Sequence, residues 1–191
     1  AGMAFVEHAV ESRLQWISRH LRKLRDNPGV PAVFEDGAMH FYLGDGYPMI
    51  IRRATRSGVS LEDGALVLHS RTPDAREHLE RVLRKWMRRE AERILTERVS
   101  LLETRIPALP DYRFRLRWMR SRWGSCSRSN SIVFNTQLVK APLSCIDYVV
   151  VHELCHTIHH NHGPGFKQLL ATVMPGWKAT ADRLKNLPVL L

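Results

Sequence analysis

The chain has little of what marks several protein classes. Only three of its 191 residues are cysteine. An odd number in dissimilar contexts, Cys126, Cys145 and Cys155, makes no disulfide framework, and a reducing cytoplasm is the simplest compartment. No apolar run approaches the roughly 20 residues of a membrane span, so no membrane is expected. The opening Ala1-Gly2-Met3 lacks the charged-then-apolar layout of a signal peptide. Acidic residues are scarce: 19 against 29 lysines and arginines leave a net charge of +10. That balance favours polyanions, DNA among them, through phosphate contacts and counterion release. A basic protein without any such partner has the same composition. At 44% hydrophobic the chain can fill one ordinary domain or two small lobes.

Taken in order, residues 5–24 read as an amphipathic helix, with Phe5, Val6, Val10, Ile17, Leu21 and Leu24 at helical spacing. Asn27-Pro28-Gly29 stops it. Short apolar or β-branched runs at 38–43, 47–54 and 65–68, divided by Gly44-Asp45-Gly46, Ser57-Gly58 and Glu62-Asp63-Gly64, predict a small antiparallel meander. Thr72 as cap and Pro73 in the first turn predict a long helix reaching Thr104. Its apolar stripe runs through Leu79, Leu83, Trp86, Met87, Ile94, Leu95 and Leu102. These signals divide the chain into an N-terminal helix and meander over 1–70, a connecting helix over 71–106 and a second lobe over 107–191. The class is α+β.

Arg113-Phe114-Arg115-Leu116-Arg117-Trp118 alternates strictly, which predicts a strand with three arginines outward. Arg113, Arg115, Arg117, Arg120 and Arg122, interleaved with Trp118 and Trp123, have the composition of a single-strand nucleic-acid groove. An ordinary exposed strand face reads the same way. After the turn at Gly124-Ser125, residues 131–136 read as the second strand of a hairpin.

The chain is organised around Val149-Val150-Val151-His152-Glu153-Leu154-Cys155-His156. H-E-x-x-H on a helix puts both histidines on one face. Two neutral imidazoles then hold a zinc ion with positions left open, and Glu153 is placed to take a proton from the attacking water. Ser144, with Asp147 three residues on, is a candidate capping box. A catalytic zinc wants a third protein ligand. Cys155, His159, His160 and His162 are local candidates and Cys126 is the upstream rival. His159 lies about one turn, roughly 5 Å, too far along a continued helix. His162 sits in Asn161-His162-Gly163-Pro164, where the chain must reverse. Its spacing matches a metzincin layout, although His159 stands at the glycine position. An edge strand beside such a helix commonly holds extended substrate, and Ser131, Ile132, Val133, Phe134 and Asn135 are the candidates. Tyr148, Arg122 and Asn135 are possible oxyanion stabilisers.

Arg122-Trp123-Gly124-Ser125-Cys126-Ser127, Phe134-Asn135, Leu138, Pro142, the run from Ile146 to His156, Asn161-His162 and Phe166 resemble the YgjP-like zinc metallopeptidases. These are bacterial relatives of the SprT/Spartan and WLM peptidases. The match is specific from about residue 113 to residue 177 and looser before it. The resemblance implies a minimal zincin, gluzincin-like lobe of antiparallel sheet and H-E-x-x-H helix. It implies zinc held by His152, His156 and His162, Glu153 as general base, and residues 122–127 packed near the site. The Spartan branch cleaves proteins crosslinked to DNA, an analogy that stands beside the basic charge. The expectation is a zinc peptidase acting on protein or peptide, with DNA-associated proteins as candidate targets. The rivals are a zinc amidohydrolase of a small substrate and a non-catalytic, zinc-stabilised nucleic-acid-binding protein whose closed site includes Cys126. Oligomeric state is not legible.

Overall fold

Two small sheets are joined by one long helix. The computed structural model describes residues 34–187, so the helix expected over 5–24 lies outside them. The first sheet holds β1 (Met39–Tyr42), β2 (Asp45–Arg53), β3 (Gly58–Glu62) and β4 (Ala65–Ser70). Both hairpins turn on two residues with positive φ, Leu43-Gly44 and Asp63-Gly64, the geometry whose twist matches that of the flanking strands.

The sheet is not the simple antiparallel meander expected. Its order is β1-β2-β4-β3, and β2 pairs with β4 in parallel. The reason lies in β4. Ala65, Leu66, Val67, Leu68 and Ser70 are all buried, and a strand covered on both faces belongs in the interior of a sheet. β3, whose first and last residues Gly58 and Glu62 read as turn chemistry, is a strand that flanks β4 on its outer side.

α1 (Arg76–Glu103) follows. It starts later than the Thr72-Pro73 signal implies. Thr72 instead forms a turn, its carbonyl accepting from the Ala75 N–H at 3.1 Å, and the helix has no side-chain cap. Leu79, Leu83, Trp86, Met87, Ala91, Ile94, Leu95, Val99 and Leu102 form its buried stripe. The stripe belongs to one apolar cluster that runs from Met49 in the first sheet to Leu184 near the end of the chain.

The second sheet holds β5 (Arg113–Arg117), β6 (Gly124–Cys126) and β7 (Ser131–Asn135) in the order β5-β7-β6. β7 pairs in parallel with β5 and antiparallel with β6. The lobe is therefore mixed rather than antiparallel, and β5 and β7 are no hairpin. A 3-10 turn (Thr136–Lys140) leads into α2 (Leu143–Cys155), then α3 (Pro164–Val173) and α4 (Trp177–Lys185). The β1–β2 turn docks on that segment: the N–H groups of Leu43 and Gly44 donate to the carbonyls of Val139 and Lys140 at 2.7 and 3.1 Å.

Pro142 occupies the N-cap of α2, and Ser144 caps nothing. Asp147 instead receives both arms of Arg98 on α1, at 2.6 and 2.8 Å. Those side chains are 17% and 15% exposed. The pair clamps α1 to α2. Removing one partner strands the other charge half-desolvated, so Asp147→Ala should cost about 2 kcal/mol. Urea unfolding should show a lower midpoint at unchanged slope; an unchanged midpoint would mean that solvent screens the pair.

Candidate metal centre and catalytic cleft

α2 is buried on nearly every side, through Cys145, Ile146, Val149, Val150, Val151, Leu154 and Cys155. His152 and Glu153 interrupt that apolar surface. The helix ends at Cys155, and the His156 N–H still donates to the His152 carbonyl at 3.2 Å. The two histidines therefore stay one turn apart on one face. Beyond them the chain tightens at once, with the N–H groups of Ile158 and His159 both donating to the Cys155 carbonyl. Asn161 Oδ1 accepts from the Gly163 N–H at 3.0 Å, an Asx turn, and Pro164 opens α3. This reversal carries His162 back over the end of α2.

The result is a triangle of nitrogens. The Nε2 atoms of His152, His156 and His162 lie 3.1–3.2 Å apart. A neutral imidazole has one N–H and one bare nitrogen. His156 spends its N–H on Nδ1, which donates to the His159 carbonyl at 2.9 Å. That leaves its Nε2 lone pair facing inward, the usual arrangement behind a metal-ligating histidine. His152 Nδ1 is 3.3 Å from the Tyr148 hydroxyl. Burial first, then the neighbouring His156 and His162, pushes the protonation of His152 down to about 3, which keeps it a neutral donor. Burial lowers His156 as well, against the opposing effect of its bond to His159. Four-coordinate zinc with bonds of about 2.0–2.1 Å sets its ligand nitrogens about 3.3 Å apart, so the triangle fits.

Among the described residues, the group able to hold a metal is His152, His156 and His162. Cys126 is not in it. Its thiol donates to the Ser127 carbonyl, and burial together with Glu153 pushes it up to about 11. His159 supplies a carbonyl rather than its ring, and His160 is exposed. Phe166, one of the residues that carry the family resemblance, packs against the triangle. Its buried ring lies 4.5–5.0 Å from all three imidazole centroids and forms their apolar floor.

Glu153 is 6% exposed, and its Oε2 has no hydrogen-bond partner. Burial pushes its carboxyl up to about 7, with Arg122 pulling the other way. Buried polar atoms are normally paired, so an orphaned carboxylate oxygen beside three converging nitrogens fits a water and metal site. The acid lines a cavity of about 280 Å³ with His152, Tyr148, Trp123, Gly124 and Arg122. Arg122, Trp123 and Gly124 thus reach the site, and Gly124 is the reason they can. A Cβ there would meet Glu153 Oε1, Cγ and Cδ at 2.6, 2.8 and 2.9 Å. Gly124→Ala should lower stability by about 1–3 kcal/mol through overpacking. Displacing the acid by about an ångström should also lower turnover by about 10-fold or more. Metal content should not change; wild-type turnover in the variant would show that the contact relaxes harmlessly.

The structure separates the other candidates. β7 is the central strand, paired on both sides, so Ser131–Asn135 cannot take an added substrate strand. Ile132 and Phe134 are fully buried. Asn135 uses its whole amide: it accepts from the N–H groups of Met119 and Gln137 and donates to the carbonyls of Met119 and Arg122. It fixes the loop that carries Arg122 and has nothing left for substrate. Ser131 and Val133 line a second cavity, where Arg113, Arg115, Arg117 and Arg122 come together. Arg120 is not with them; it lines a separate hollow with Phe34, Trp118 and Lys140. Tyr148 lies against His152 and stacks on Trp177, their rings 4° from parallel. No helix among the described residues is long and apolar enough to cross a membrane.

Six solved chains match. One is the metallopeptidase zymogen abylysin of Pyrococcus abyssi, 18% identical, covering 47% of this chain and 90% of that one, with a TM-score of 0.44. Another is the zymogen jannalysin of Methanocaldococcus jannaschii, 19% identical, covering 48% and 91%, with a TM-score of 0.42. No curated protein sequence matches. The model of the YgjP-like metallopeptidase domain spans residues 2–187, and the chain belongs to that family.

Proposed function

We propose that this metallopeptidase is zinc-dependent and hydrolyses peptide bonds in proteins or peptides, with Glu153 as general base. The observation that carries the reading is the placement of Glu153: a buried carboxylate with an unpartnered oxygen, next in sequence to His152 at the nitrogen triangle. His152, His156 and His162 would hold the ion. When bound, zinc polarises a carbonyl and acidifies water.

The chain's own residues account for the rest. Glu153 takes the proton from the attacking water and returns it to the departing amine. Gly124 lets the β6 backbone lie against the acid without displacing it. The His159 carbonyl and the Tyr148 hydroxyl orient two of the imidazoles. Phe166 packs against all three rings and holds them in place. β6 stands at the edge of its sheet, so an extended polypeptide added there would run past Glu153 with its backbone held by main-chain hydrogen bonds. The three thiols are free, which suits a reducing compartment.

The test is digestion of an unfolded protein by zinc-loaded and by chelator-stripped protein. Fragments should appear with zinc, cease on stripping and return when zinc is restored. Cleavage at the same rate in both would sink the reading.

A further inference from the structure

We infer that the arginine-walled cavity on the outer face of the second sheet docks an acidic segment of the substrate, close to the bond that is cut. The inference rests on the peptidase reading above. Alternation along β5 puts Arg113, Arg115 and Arg117 on one face and leaves all three exposed. The register sets Arg115 against Val133 and Val133 against Ser125, so that face continues across β7 onto β6. Arg122 joins them in the cavity lining. The cavity measures about 890 Å³, and neither aspartate nor glutamate lines it.

Among the described residues, the ion pairs of arginine and lysine use Arg52, Arg53, Arg84, Arg93, Arg98 and Lys185. None of the four cavity arginines reaches a carboxylate of the described residues within ion-pair distance. Guanidinium groups gathered in one hollow repel one another, and a concave wall of one sign focuses its field outward. Local conflict of this kind is expected where a fold keeps a site. Guanidinium also takes a carboxylate with two parallel hydrogen bonds, the strongest form of that pairing.

Position ties the cavity to the chemistry. Arg122 lines both this hollow and the cleft that holds Glu153 and His152. A strand added at the edge of β6 would lie three strand spacings from β5, about 14 Å, a span that an extended chain covers in about four residues. The acidic residues of the substrate should therefore fall within about four positions of the cut bond.

Carboxylates suit the cavity better than nucleic acid. Single-stranded nucleic acid is held by aromatic rings on which bases stack. Trp118 points to the other face, under Arg84 at 4.4 Å, and Trp123 lines the catalytic cleft. Phe114, the aromatic residue in the cavity lining, packs edge-on against Phe134 in the core.

The experiment is fluorescence anisotropy with a labelled peptide carrying four consecutive glutamates, against its glutamine counterpart, on zinc-loaded protein. The glutamate peptide should bind at least about 10-fold tighter, and added salt should weaken it. The triple variant Arg113→Gln, Arg115→Gln, Arg117→Gln, altered only on an exposed face, should lose the preference; Arg115→Lys should keep most of it. In turnover, glutamates about four residues from the cut bond should lower KM and leave kcat alone. Equal binding of the two peptides overturns the proposal. So does displacement by single-stranded oligothymidylate at concentrations where the glutamate peptide has no effect, which would assign the cavity to nucleic acid. Binding is read without turnover, so selective capture supports the cavity even if no peptide is cut, and the peptidase reading fails separately.

Discussion

Glu153→Gln should lower kcat for peptide hydrolysis by about 10²–10⁴-fold, the usual contribution of a positioned general base. Zinc content should stay at the wild-type level, since His152, His156 and His162 are untouched. The substitution keeps the side chain's shape, so it still fits the space that Gly124 leaves open. What it removes is the ability to accept a proton. Stability should hold or rise slightly. The wild-type protein buries a carboxylate oxygen without a partner, and a neutral amide costs less to bury than a charge. Loss of activity with gain of stability is the pattern of a site kept for function. The assay is single-turnover cleavage beside a thermal melt. Wild-type turnover in the variant would remove Glu153 from the mechanism, whereas a large drop in zinc content would mean that the acid acts through the metal site instead.

His162→Ala should abolish activity at limiting zinc by emptying the site. Of the three nitrogens, His162 is the one supplied by a loop, and it is exposed. Its removal leaves His152 and His156 with Nε2 atoms 3.2 Å apart, a two-ligand site. Loss of residues that merely orient a ligand costs about 10–100-fold in metal affinity, and loss of a ligand should cost more. Equilibrium dialysis against a zinc buffer measures this directly. The metal-free protein should melt at the wild-type temperature, because an exposed imidazole contributes little to packing. Cys126→Ser is the matched comparison and should leave zinc affinity unchanged, since that thiol is outside the nitrogen triangle. Zinc lost from the cysteine variant and kept in His162→Ala would reverse the assignment of the third ligand.

Much of the site is readable from residues near one another in the chain. The four-residue interval between His152 and His156 carries its own geometry, because a helix turns every 3.6 residues. The alternation of Arg113, Arg115 and Arg117 with Phe114 and Leu116 likewise carries its own two faces, and both are present as expected. His162 needed one more step, a reversal announced by Asn161, Gly163 and Pro164. Capping was less legible. Ser144 and Thr72 are good caps by composition, yet neither caps its helix. Pro142 and a turn over residues 72–75 start those helices instead. Asp147 is drawn away by Arg98, 49 residues earlier, a contact that no local pattern announces.

The sequence by itself determined what each short stretch can be: which residues share a helix face, which alternate across a strand, and where the chain must turn. Those properties follow from backbone periods of 3.6 and 2 and from the special conformations of glycine, proline and asparagine. Only the tertiary structure decided who neighbours whom. It put β4 between β2 and β3, and β7 between β5 and β6, which leaves Ser131–Asn135 no free edge for an added strand and sets β6 at the edge. It laid Gly124 against Glu153 and Phe166 under three histidines. It gathered four arginines beside the cleft while turning Trp118 and Arg120 elsewhere. Strand order and side-chain contact are set by burial of surface between segments far apart in the chain, and no local spacing encodes that choice.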